Sequence, residues 1–265
     1  MSADVTRDGR ALRLAVVGKG GAGKSVIAGT LARALARRGE TVLALDSDLM
    51  PGLALSLGAS APAMPPLLDG AERREDGRWR LRKGIGPVRA IERYATAAPD
   101  GVRLLQCGKA TEEGTKPIMG AVNAFYQVIH RLPGARSLSG WQIVGDLPAG
   151  PRQAAFDWAP YADTYLVVVE PTWKSVLTAR RLARLARARG AVVVPVASKV
   201  GDETAVARIE AMLGERVPAA VPADPAVSEA ERLGVAPIDA APAAPAVRAV
   251  AALAERLVER RIEGA

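Results

Sequence analysis

The amino-acid sequence predicts an α/β fold in which a doubly wound, mostly parallel sheet lies between two layers of helices. Apolar runs of strand length alternate with helix-forming stretches, which is typical of parallel βαβ units. The runs 166–169 and 192–194 are apolar at every position, as expected for parallel strands that are buried on both faces. A glycine-rich turn joins the first apolar run to the first helical stretch, as in a strand–turn–helix unit.

The predicted elements follow one another along most of the chain. The predicted strands cover residues 12–17, 41–45, 102–106, 141–145, 164–169, 191–197 and 219–221. The predicted helices cover residues 26–38, 121–131, 174–189, 204–213, 226–233 and 246–261. Residues 59–100 interrupt the alternation because they are rich in proline, glycine and charge, so we interpret them as an insertion in a single domain of residues 1–265. Whether the insertion covers a ligand, meets a partner or only decorates the surface stays open.

Composition is typical of a globular protein from a reducing compartment. The 265 residues, 49% of them hydrophobic, suit one large α/β domain with an aliphatic core. The lone cysteine, Cys107, excludes an intrachain disulfide and any metal site built from several cysteines of one chain. The polar N-terminus lacks the apolar region of a signal peptide, and no apolar stretch approaches the roughly 20 residues of a membrane span. We therefore expect a cytoplasmic protein without a membrane span.

Residues 18–25 read Gly-Lys-Gly-Gly-Ala-Gly-Lys-Ser and match the phosphate-binding pattern G-x-x-x-x-G-K-[ST]. Glycines allow successive backbone N–H groups to turn toward phosphate oxygens, and the N-terminus of the following helix adds positive partial charge. We expect Lys24 to reach the β- and γ-phosphates as a catalytic residue and Ser25 to ligate Mg²⁺. The predicted nucleotide-binding residues of this loop are Gly20, Gly21, Ala22, Gly23, Lys24, Ser25 and Val26.

The additional lysine of the loop, Lys19, makes it resemble the loop of the deviant Walker A ATPases, the MinD/ParA group of P-loop NTPases. The resemblance extends over most of the chain and implies a three-layer sandwich, ATP hydrolysis and a homodimer. In that group the additional lysine crosses the dimer interface to the partner's nucleotide, which implies that Lys19 acts as a catalytic residue in trans. Such a cation would stabilise the charge that accumulates around the transferred phosphoryl group. A solvated loop lysine is the alternative.

Carboxylates follow two predicted strands at the edge of the sheet where open parallel sheets bind ligands. The second strand runs into Asp46 and Asp48, and the fourth strand runs into Asp146. The resemblance implies that Asp48 positions the attacking water, that Asp46 supports Mg²⁺ through water, and that Asp146 holds Mg²⁺ as a Walker B carboxylate. One of the first two carboxylates could instead cap a turn. Gly150 matches the start of the group's second switch, where its N–H is expected to sense the γ-phosphate.

Recognition of the base is predicted from two later segments. The group often reads adenine with an asparagine at the end of a late strand, and Ser198, which occupies that position here, offers fewer hydrogen bonds. A later Pro-x-Asp loop with Pro222 and Asp224 resembles the group's loop and is expected to contact the nucleotide. The guanine-reading pattern Asn-Lys-x-Asp is absent, because Asp202 follows Lys199 by three positions rather than two. We therefore expect ATP, with Mg²⁺, rather than GTP.

Within this group the chain most resembles the nickel-insertion ATPases of carbon monoxide dehydrogenase. In that branch a Cys-x-Cys pair ahead of a helix carries nickel, whereas the equivalent residues 115–124 contain no cysteine. Isoleucine, methionine or glycine cannot replace thiolate ligands for Ni²⁺, and we expect Cys107 and His130 to be packing or surface residues rather than ligands. The resemblance implies a slow, partner-stimulated maturation ATPase that serves a partner metalloenzyme or protein complex without its own Cys-x-Cys site.

Two other functions stay open. A partition or positioning ATPase of the same group would dimerise on ATP and bind DNA or another surface. The net charge of +8 and three arginines on one helical face, Arg180, Arg184 and Arg187, agree with DNA binding, although a solvated face explains the arginines equally. We therefore expect a protein client more than a nucleic acid. A small-molecule kinase has less support, because such kinases do not need Lys19.

Overall fold

An eight-stranded sheet forms the centre of the computed structural model, which describes residues 11–263 except 51, 61, 111, 113 and 151–156. The strands are β1 (Arg13–Gly18), β2 (Val42–Asp46), β3 (Ala71–Arg73), β4 (Trp79–Leu81), β5 (Thr96–Ala97), β6 (Arg103–Gln106), β7 (Gln142–Asp146), β8 (Thr164–Val169), β9 (Val192–Val200) and β10 (Ala219–Pro222). The sheet order is β10-β9-β8-β1-β7-β2-β6-β5, and β3 and β4 form a separate hairpin. Neighbouring strands of the large sheet are parallel, except that β5 pairs antiparallel with β6.

Helices cover both faces of this sheet. They are α1 (Lys24–Arg37), α2 (Leu53–Leu57), α3 (Pro87–Tyr94), α4 (Met119–Arg131), α5 (Trp173–Arg187), α6 (Glu203–Leu213), α7 (Pro225–Leu233), α8 (Pro237–Ala240) and α9 (Pro245–Glu263). One buried cluster joins α3, α4, α5 and α6 to the sheet, and a second joins α1, α2 and α9 to the opposite face. No helix among the described residues has both the length and the hydrophobicity that crossing a bilayer requires.

Side chains of the central strands alternate between the two clusters. In β1, Ala15 and Val17 belong to the cluster with α4, whereas Leu14 and Val16 belong to the cluster with α1. All four are at most 1% exposed, so the strand is apolar throughout because both of its faces are covered. The carboxyl ends of β1, β2 and β7 therefore meet at one edge of a fully sandwiched sheet, where ligands bind in folds of this kind.

The doubly wound, mostly parallel sheet confirms the fold that the sequence predicts. Each predicted strand and helix corresponds to an observed element, although the ends differ by a few residues. For example, β8 has the predicted bounds, whereas β9 continues to Val200, beyond the predicted end at residue 197.

The segment 59–100, interpreted as an insertion, contains regular elements that the sequence pattern does not reveal. The hairpin of β3 and β4 lies beside α4, α3 buries Ala90, Ile91 and Tyr94, and β5 extends the sheet at its edge. These elements are short, and tertiary contacts rather than a long periodic pattern stabilise them. The described part of this segment therefore forms a layer over α4 and the end of the sheet next to β6.

Candidate functional site

The loop between β1 and α1 has the backbone geometry of an anion cradle. Gly23 precedes the helix with φ of 87°, a conformation that glycine adopts without a steric penalty. The first turn of α1 contains no acidic residue, so nothing there neutralises the positive end of the helix. Lys24 begins α1 and its side chain is only 8% exposed, which holds the ammonium group close to this loop rather than in bulk water.

Asp46 and Asp146 lie side by side, because they end the neighbouring strands β2 and β7 and are in register. Both are buried, with exposures of 0% and 1%. Asp46 accepts hydrogen bonds from the backbone N–H groups of Asp48 (3.2 Å) and Leu53 (3.3 Å). The Ser25 hydroxyl is close enough to Asp146 to lower the pKa of that carboxyl group, while Asp146 Oδ1 has no hydrogen-bond partner among the described residues. Two predicted metal-binding positions, Ser25 and Asp146, are therefore neighbours.

Burial shifts the protonation of both carboxyl groups. Desolvation raises the pKa of Asp146 to about 6, although the Ser25 hydrogen bond and the Lys24 charge act in the opposite direction. Desolvation also raises the pKa of Asp46 well above its ordinary value, and the neighbouring charge of Asp146 raises it further. A cation between the loop and these carboxylates would stabilise their charged forms.

The donors present fit Mg²⁺. A hydroxyl oxygen and an unpartnered, buried carboxylate oxygen are hard ligands of the kind that Mg²⁺ prefers. Mg²⁺ is commonly held by one or two carboxylates together with substrate phosphates and water, so a larger protein cage is not needed. The described residues contain no group of three or more His, Cys, Asp or Glu residues placed to hold a metal ion.

Asp48, the predicted water-positioning residue, lies in the turn that follows β2. It is half-buried, and its Oδ1 accepts a hydrogen bond from the Met50 backbone N–H at 2.9 Å. This contact is the turn-capping role that the sequence left open for one of the two carboxylates, but it uses only one of the two oxygens.

Lys19 and Gly150 make contacts within their own chain. The Lys19 ammonium is 3.8 Å from Glu170 Oε2, just beyond the end of β8, and its side chain is 39% exposed. Gly150 has φ of 88°, and its N–H donates to the Gly18 carbonyl at 3.2 Å. Sensing of a γ-phosphate by Gly150 would therefore require this bond to open.

A pocket of about 390 Å³ continues from the loop toward β10 and the N-terminus of α7. Ser198, Lys199, Pro222 and Asp224 line it together with Gly21 and Ser25. Lys199 has φ of 54° and donates from Nζ to the Gly21 carbonyl at 2.6 Å, which ties the loop to the end of β9. The structure thus brings the predicted base-binding segments against the predicted phosphate loop.

Asp224 stabilises the backbone of this pocket. Its Oδ1 accepts a hydrogen bond from the Ala226 N–H at 3.0 Å, and its Oδ2 accepts one from the Ala246 N–H at 3.1 Å. The carboxylate thereby caps α7 and fixes the start of α9 beside it. Asp224 shapes this pocket through these backbone contacts, and both of its oxygens accept hydrogen bonds.

Cys107 and His130, which the sequence predicts to be packing or surface residues rather than metal ligands, make packing contacts in the structure. Cys107 is fully buried directly after β6, and desolvation raises the pKa of its thiol to about 12. The His130 ring packs against Tyr126, with 4.2 Å between ring centroids. Residues 116–118 form a short turn of 3₁₀ helix that leads into α4.

Sequence reasoning missed two charged residues of this site. Lys199 carries the contact to Gly21, and Glu170 carries the contact to Lys19. Lys199 could have been suspected from its place just after the predicted strand 191–197, next to the segment expected to bind the base, but its left-handed backbone has no sequence signal. Glu170 follows an apolar strand, as Asp146 does, and this is the one signal that could have identified it.

Comparison with protein families gives a match over most of the chain. The family described as the CobQ/CobB/MinD/ParA nucleotide binding domain matches residues 14–238. An uncharacterized ATP-binding protein of Methanocaldococcus jannaschii is 27% identical over 251 residues, which are 93% of this chain and 87% of that protein. The carbon monoxide dehydrogenase accessory protein CooC of Rhodospirillum rubrum is 27% identical over 261 residues, which are 93% of this chain and 97% of that protein.

Solved structures show the same fold. The septum site-determining protein MinD of Pyrococcus horikoshii, complexed with Mg-ADP, has a TM-score of 0.68 and 21% identity, over 92% of this chain and 94% of that chain. The cell division ATPase MinD of Pyrococcus furiosus has a TM-score of 0.70 and 23% identity, over 93% and 98%. These similarities agree with the family match and with the loop and strand ends described above. The chain therefore belongs to the CobQ/CobB/MinD/ParA family of nucleotide-binding domains.

Proposed function

We propose that this chain is a Mg-ATP-dependent, homodimeric switch ATPase that acts as an accessory factor for a partner protein. The observation that carries the proposal is the convergence of Lys24, Ser25 and Asp146 at one end of the sheet. Among the residues that the structure describes, the buried Asp146 Oδ1 has no hydrogen-bond partner and no side chain caps the N-terminus of α1. Such an oxygen is costly to bury unless a ligand pairs with it.

Each residue of the site has a separate task in this proposal. The loop amides and Lys24 bind the phosphates, and Ser25 and Asp146 hold Mg²⁺, with Asp46 supporting its water shell. Bound Mg²⁺ supplies charge neutralisation at the phosphates. Asp48 orients the attacking water with the carboxylate oxygen that Met50 does not use. The half-buried position of Asp48 next to the Asp46 turn supports this assignment.

The nucleotide is proposed to be ATP. The pocket ends against Ser198 and the loop of Pro222, and both oxygens of Asp224 already accept backbone hydrogen bonds. A guanine base presents N–H donors that a carboxylate usually accepts, whereas adenine does not need that acceptor. The relative from Methanocaldococcus jannaschii, which is described as an ATP-binding protein, gives further support.

Lys19 is proposed to complete the site of a second copy of the chain. Within one chain its ammonium donates to the Gly20 carbonyl at 3.4 Å and pairs loosely with Glu170 at 3.8 Å, and the side chain is partly exposed. Exposed pairs of this kind are worth roughly 0–1 kcal/mol, so the ammonium can leave Glu170 at little cost. A lysine that reaches the partner's phosphates would stabilise the charge of the transition state, and hydrolysis would remain slow in the monomer.

The accessory role rests on the similarity to CooC, which is named as an accessory protein of carbon monoxide dehydrogenase. This chain lacks a Cys-x-Cys pair in residues 115–124, and its cysteine is buried with a raised thiol pKa. These residues therefore fit a protein whose ATP cycle changes the conformation of its client better than one that delivers a thiolate-bound metal. The client would respond to dimer formation and hydrolysis.

The variant Asp48→Asn tests the proposed ATPase. We expect it to bind ATP with unchanged affinity but to hydrolyse ATP at least about 100-fold more slowly than the wild type, because it cannot orient the attacking water. Fluorescence titration with a labelled ATP analogue measures binding, and single-turnover phosphate release measures hydrolysis.

The control is Asp76→Asn, because Asp76 also accepts the backbone N–H two residues later, at 3.0 Å, in an exposed turn. It reproduces the loss of the turn-capping carboxylate without touching the site. If both variants hydrolyse ATP at the wild-type rate, Asp48 does not position the water and the mechanism is wrong.

Partition or positioning through DNA is the second candidate function. Arg180 and Arg184 are exposed on α5 and make no ion pair among the described residues, whereas Arg187 pairs with Glu215. A gel shift with duplex DNA discriminates the two functions. ATP-dependent, salt-sensitive binding that Arg180→Glu/Arg184→Glu abolishes would favour the DNA-binding function.

A further inference from the structure

The segment 82–93 forms a pocket of about 490 Å³ that shares no residue with the nucleotide pocket. It is lined by Arg82, Lys83, Gly84, Ile85, Arg89, Glu92 and Arg93. Four of these seven residues are cations and one is a carboxylate. The pocket lies in the segment between α2 and β6, for which the sequence left open whether it covers a ligand, meets a partner or only decorates the surface.

The packing of α3 places two of these cations on the solvent side of the helix. Helix α3 buries Ala90, Ile91 and Tyr94 against the core, so Arg89 and Arg93 lie on its solvent side. They are four residues apart and therefore share one face of the helix. Like charges at this spacing destabilise a helix, and a bound anion would relieve that repulsion.

Neutral groups, rather than carboxylates, hold the three guanidinium groups. Arg82 Nε donates to the Ala71 carbonyl at 3.3 Å, and Arg89 donates to the Gly84 carbonyl at 3.2 Å. The Arg93 guanidinium lies over the Tyr94 ring, 5.4 Å from its centroid. None of the four cations forms an ion pair with a carboxylate of the described residues. The arginines are thus oriented in advance, and their charges and most of their N–H donors remain available.

The surroundings favour a compact anion over a phosphate backbone. The hairpin that precedes the pocket segment also carries carboxylates, because Glu72 pairs with Arg80 and both Glu75 and Asp76 lie in its turn. Together with Glu92 they would repel a phosphate backbone that continues along the hairpin, whereas a short acidic segment can end within the pocket. Among the described residues that line the pocket none is aromatic and able to stack on a base, whereas Ile85 offers an apolar contact. Planar guanidinium groups match carboxylates in a two-point geometry.

We propose that this basic pocket binds the carboxylate side chains of an acidic segment on a protein partner. The inference goes beyond the proposed ATPase and does not depend on it, because the pocket is separate from the nucleotide site. It gives the segment between α2 and β6 a function as a docking surface for a partner of opposite charge.

Fluorescence anisotropy with a fluorescein-labelled hexaglutamate peptide tests the proposal on the full chain without nucleotide. We expect the variant Arg89→Glu/Arg93→Glu to weaken peptide binding at least about tenfold, because it reverses two of the four charges. The matched control, Arg180→Glu/Arg184→Glu, changes the same charge on another exposed helical face and should weaken binding less than about twofold. Lys83→Glu, which lies outside α3, should weaken binding about threefold and covers the case in which the double variant does not fold.

Three results would overturn the proposal. The first is that the wild-type chain does not bind the peptide. The second is that the pocket and control variants weaken binding equally, because the peptide would then be attracted only by the net charge of the chain. Alternatively, a labelled 20-base-pair DNA duplex binds more tightly than the peptide and loses binding in the pocket variants, which would make the surface a nucleic-acid site. Because ATP hydrolysis is not scored, failure of the proposed ATPase would leave this test unaffected.

Discussion

At the scale of single residues, the paired carboxylates Asp46 and Asp146 are the costliest feature of the site. They lie in register on neighbouring strands, and both are almost completely buried. Asp46 is stabilised by two backbone N–H groups, whereas Asp146 depends on Ser25 and on the charge of Lys24. Without a bound cation, this arrangement favours the protonated acids and lowers the stability of the chain at neutral pH.

Asp146→Asn should therefore change stability in a pH-dependent way. In the folded chain Asp146 keeps its proton up to about pH 6, whereas an unfolded chain loses it near about pH 4. Because the folded state binds more protons in this window, the free energy of unfolding falls as pH rises through it. Relative to its effect at about pH 4.5, the substitution should become more stabilising by about 2 kcal/mol at about pH 8.

Urea unfolding of the nucleotide-free protein at both pH values measures this difference. Asp69→Asn, which changes an exposed carboxylate outside the site, is measured in parallel as the control. A constant effect of Asp146→Asn at both pH values would mean that Asp146 is already ionised in the folded chain near pH 5.

The sequence predicts residues of the site where a short motif carries their chemistry. The loop of residues 18–25 and the carboxylates after predicted strands come together at one edge of the sheet as the pattern indicates. Lys199 and Glu170 escape prediction, because their partners are 178 and 151 positions away in the chain and no local pattern links them. Asp224 is found from its loop, but the backbone hydrogen bonds of its carboxylate become visible only in the fold.

At the scale of elements, α2 connects the turn of Asp48 to helix α1. Gly29 in α1 faces Ser56 in α2, and a Cβ at position 29 would lie 2.6 Å from Ser56 Cβ and 2.8 Å from its carbonyl carbon. Arg33 of α1 donates to the Leu57 carbonyl at 2.8 Å. The close approach of the two helices holds the Leu53 N–H where it reaches Asp46.

Gly29→Ala should destabilise the chain despite the better helix propensity of alanine. The propensity gain is about 1 kcal/mol, whereas overpacking against the Ser56 backbone costs about 1–3 kcal/mol. We expect a net loss of about 1 kcal/mol in the free energy of unfolding, measured by urea denaturation.

Gly140→Ala is the matched control for this substitution. A Cβ at position 140 would meet no atom within 4 Å, and the residue does not have positive φ. Equal stability of the two variants would show that α2 shifts away freely and does not clamp the turn of Asp48.

Short elements are also where the sequence prediction ends. Long runs such as β8 and α5 are recognised because every position agrees with the pattern. Helix α2 and the strands β3, β4 and β5 span five residues or fewer each, so their periodicity is too brief to detect. Their contacts with α1, α4 and β6 determine them.

At the scale of the whole molecule, the proposed switch depends on the surface at the carboxyl ends of the central strands, where Lys19 follows β1. The ammonium of Lys19 rests near Glu170, and Trp173, three residues after Glu170 at the start of α5, is 57% exposed. Tryptophan is enriched at surfaces that meet a partner. We propose that a second copy of the chain covers this surface when ATP is bound. Lys19 then leaves Glu170 and contacts the phosphates of the nucleotide that the partner binds.

Mixing two inactive variants, Lys19→Ala and Asp48→Asn, tests this claim most directly. In a mixed dimer, the site of the Lys19→Ala chain keeps its own Asp48 and receives Lys19 from the other chain. Random pairing in equal amounts should restore roughly a quarter of the wild-type ATPase rate, because half of the dimers then contain one complete site. If Lys19 acts within its own chain, the mixture will show only the average of the two separate variants, and the account of the dimer is contradicted.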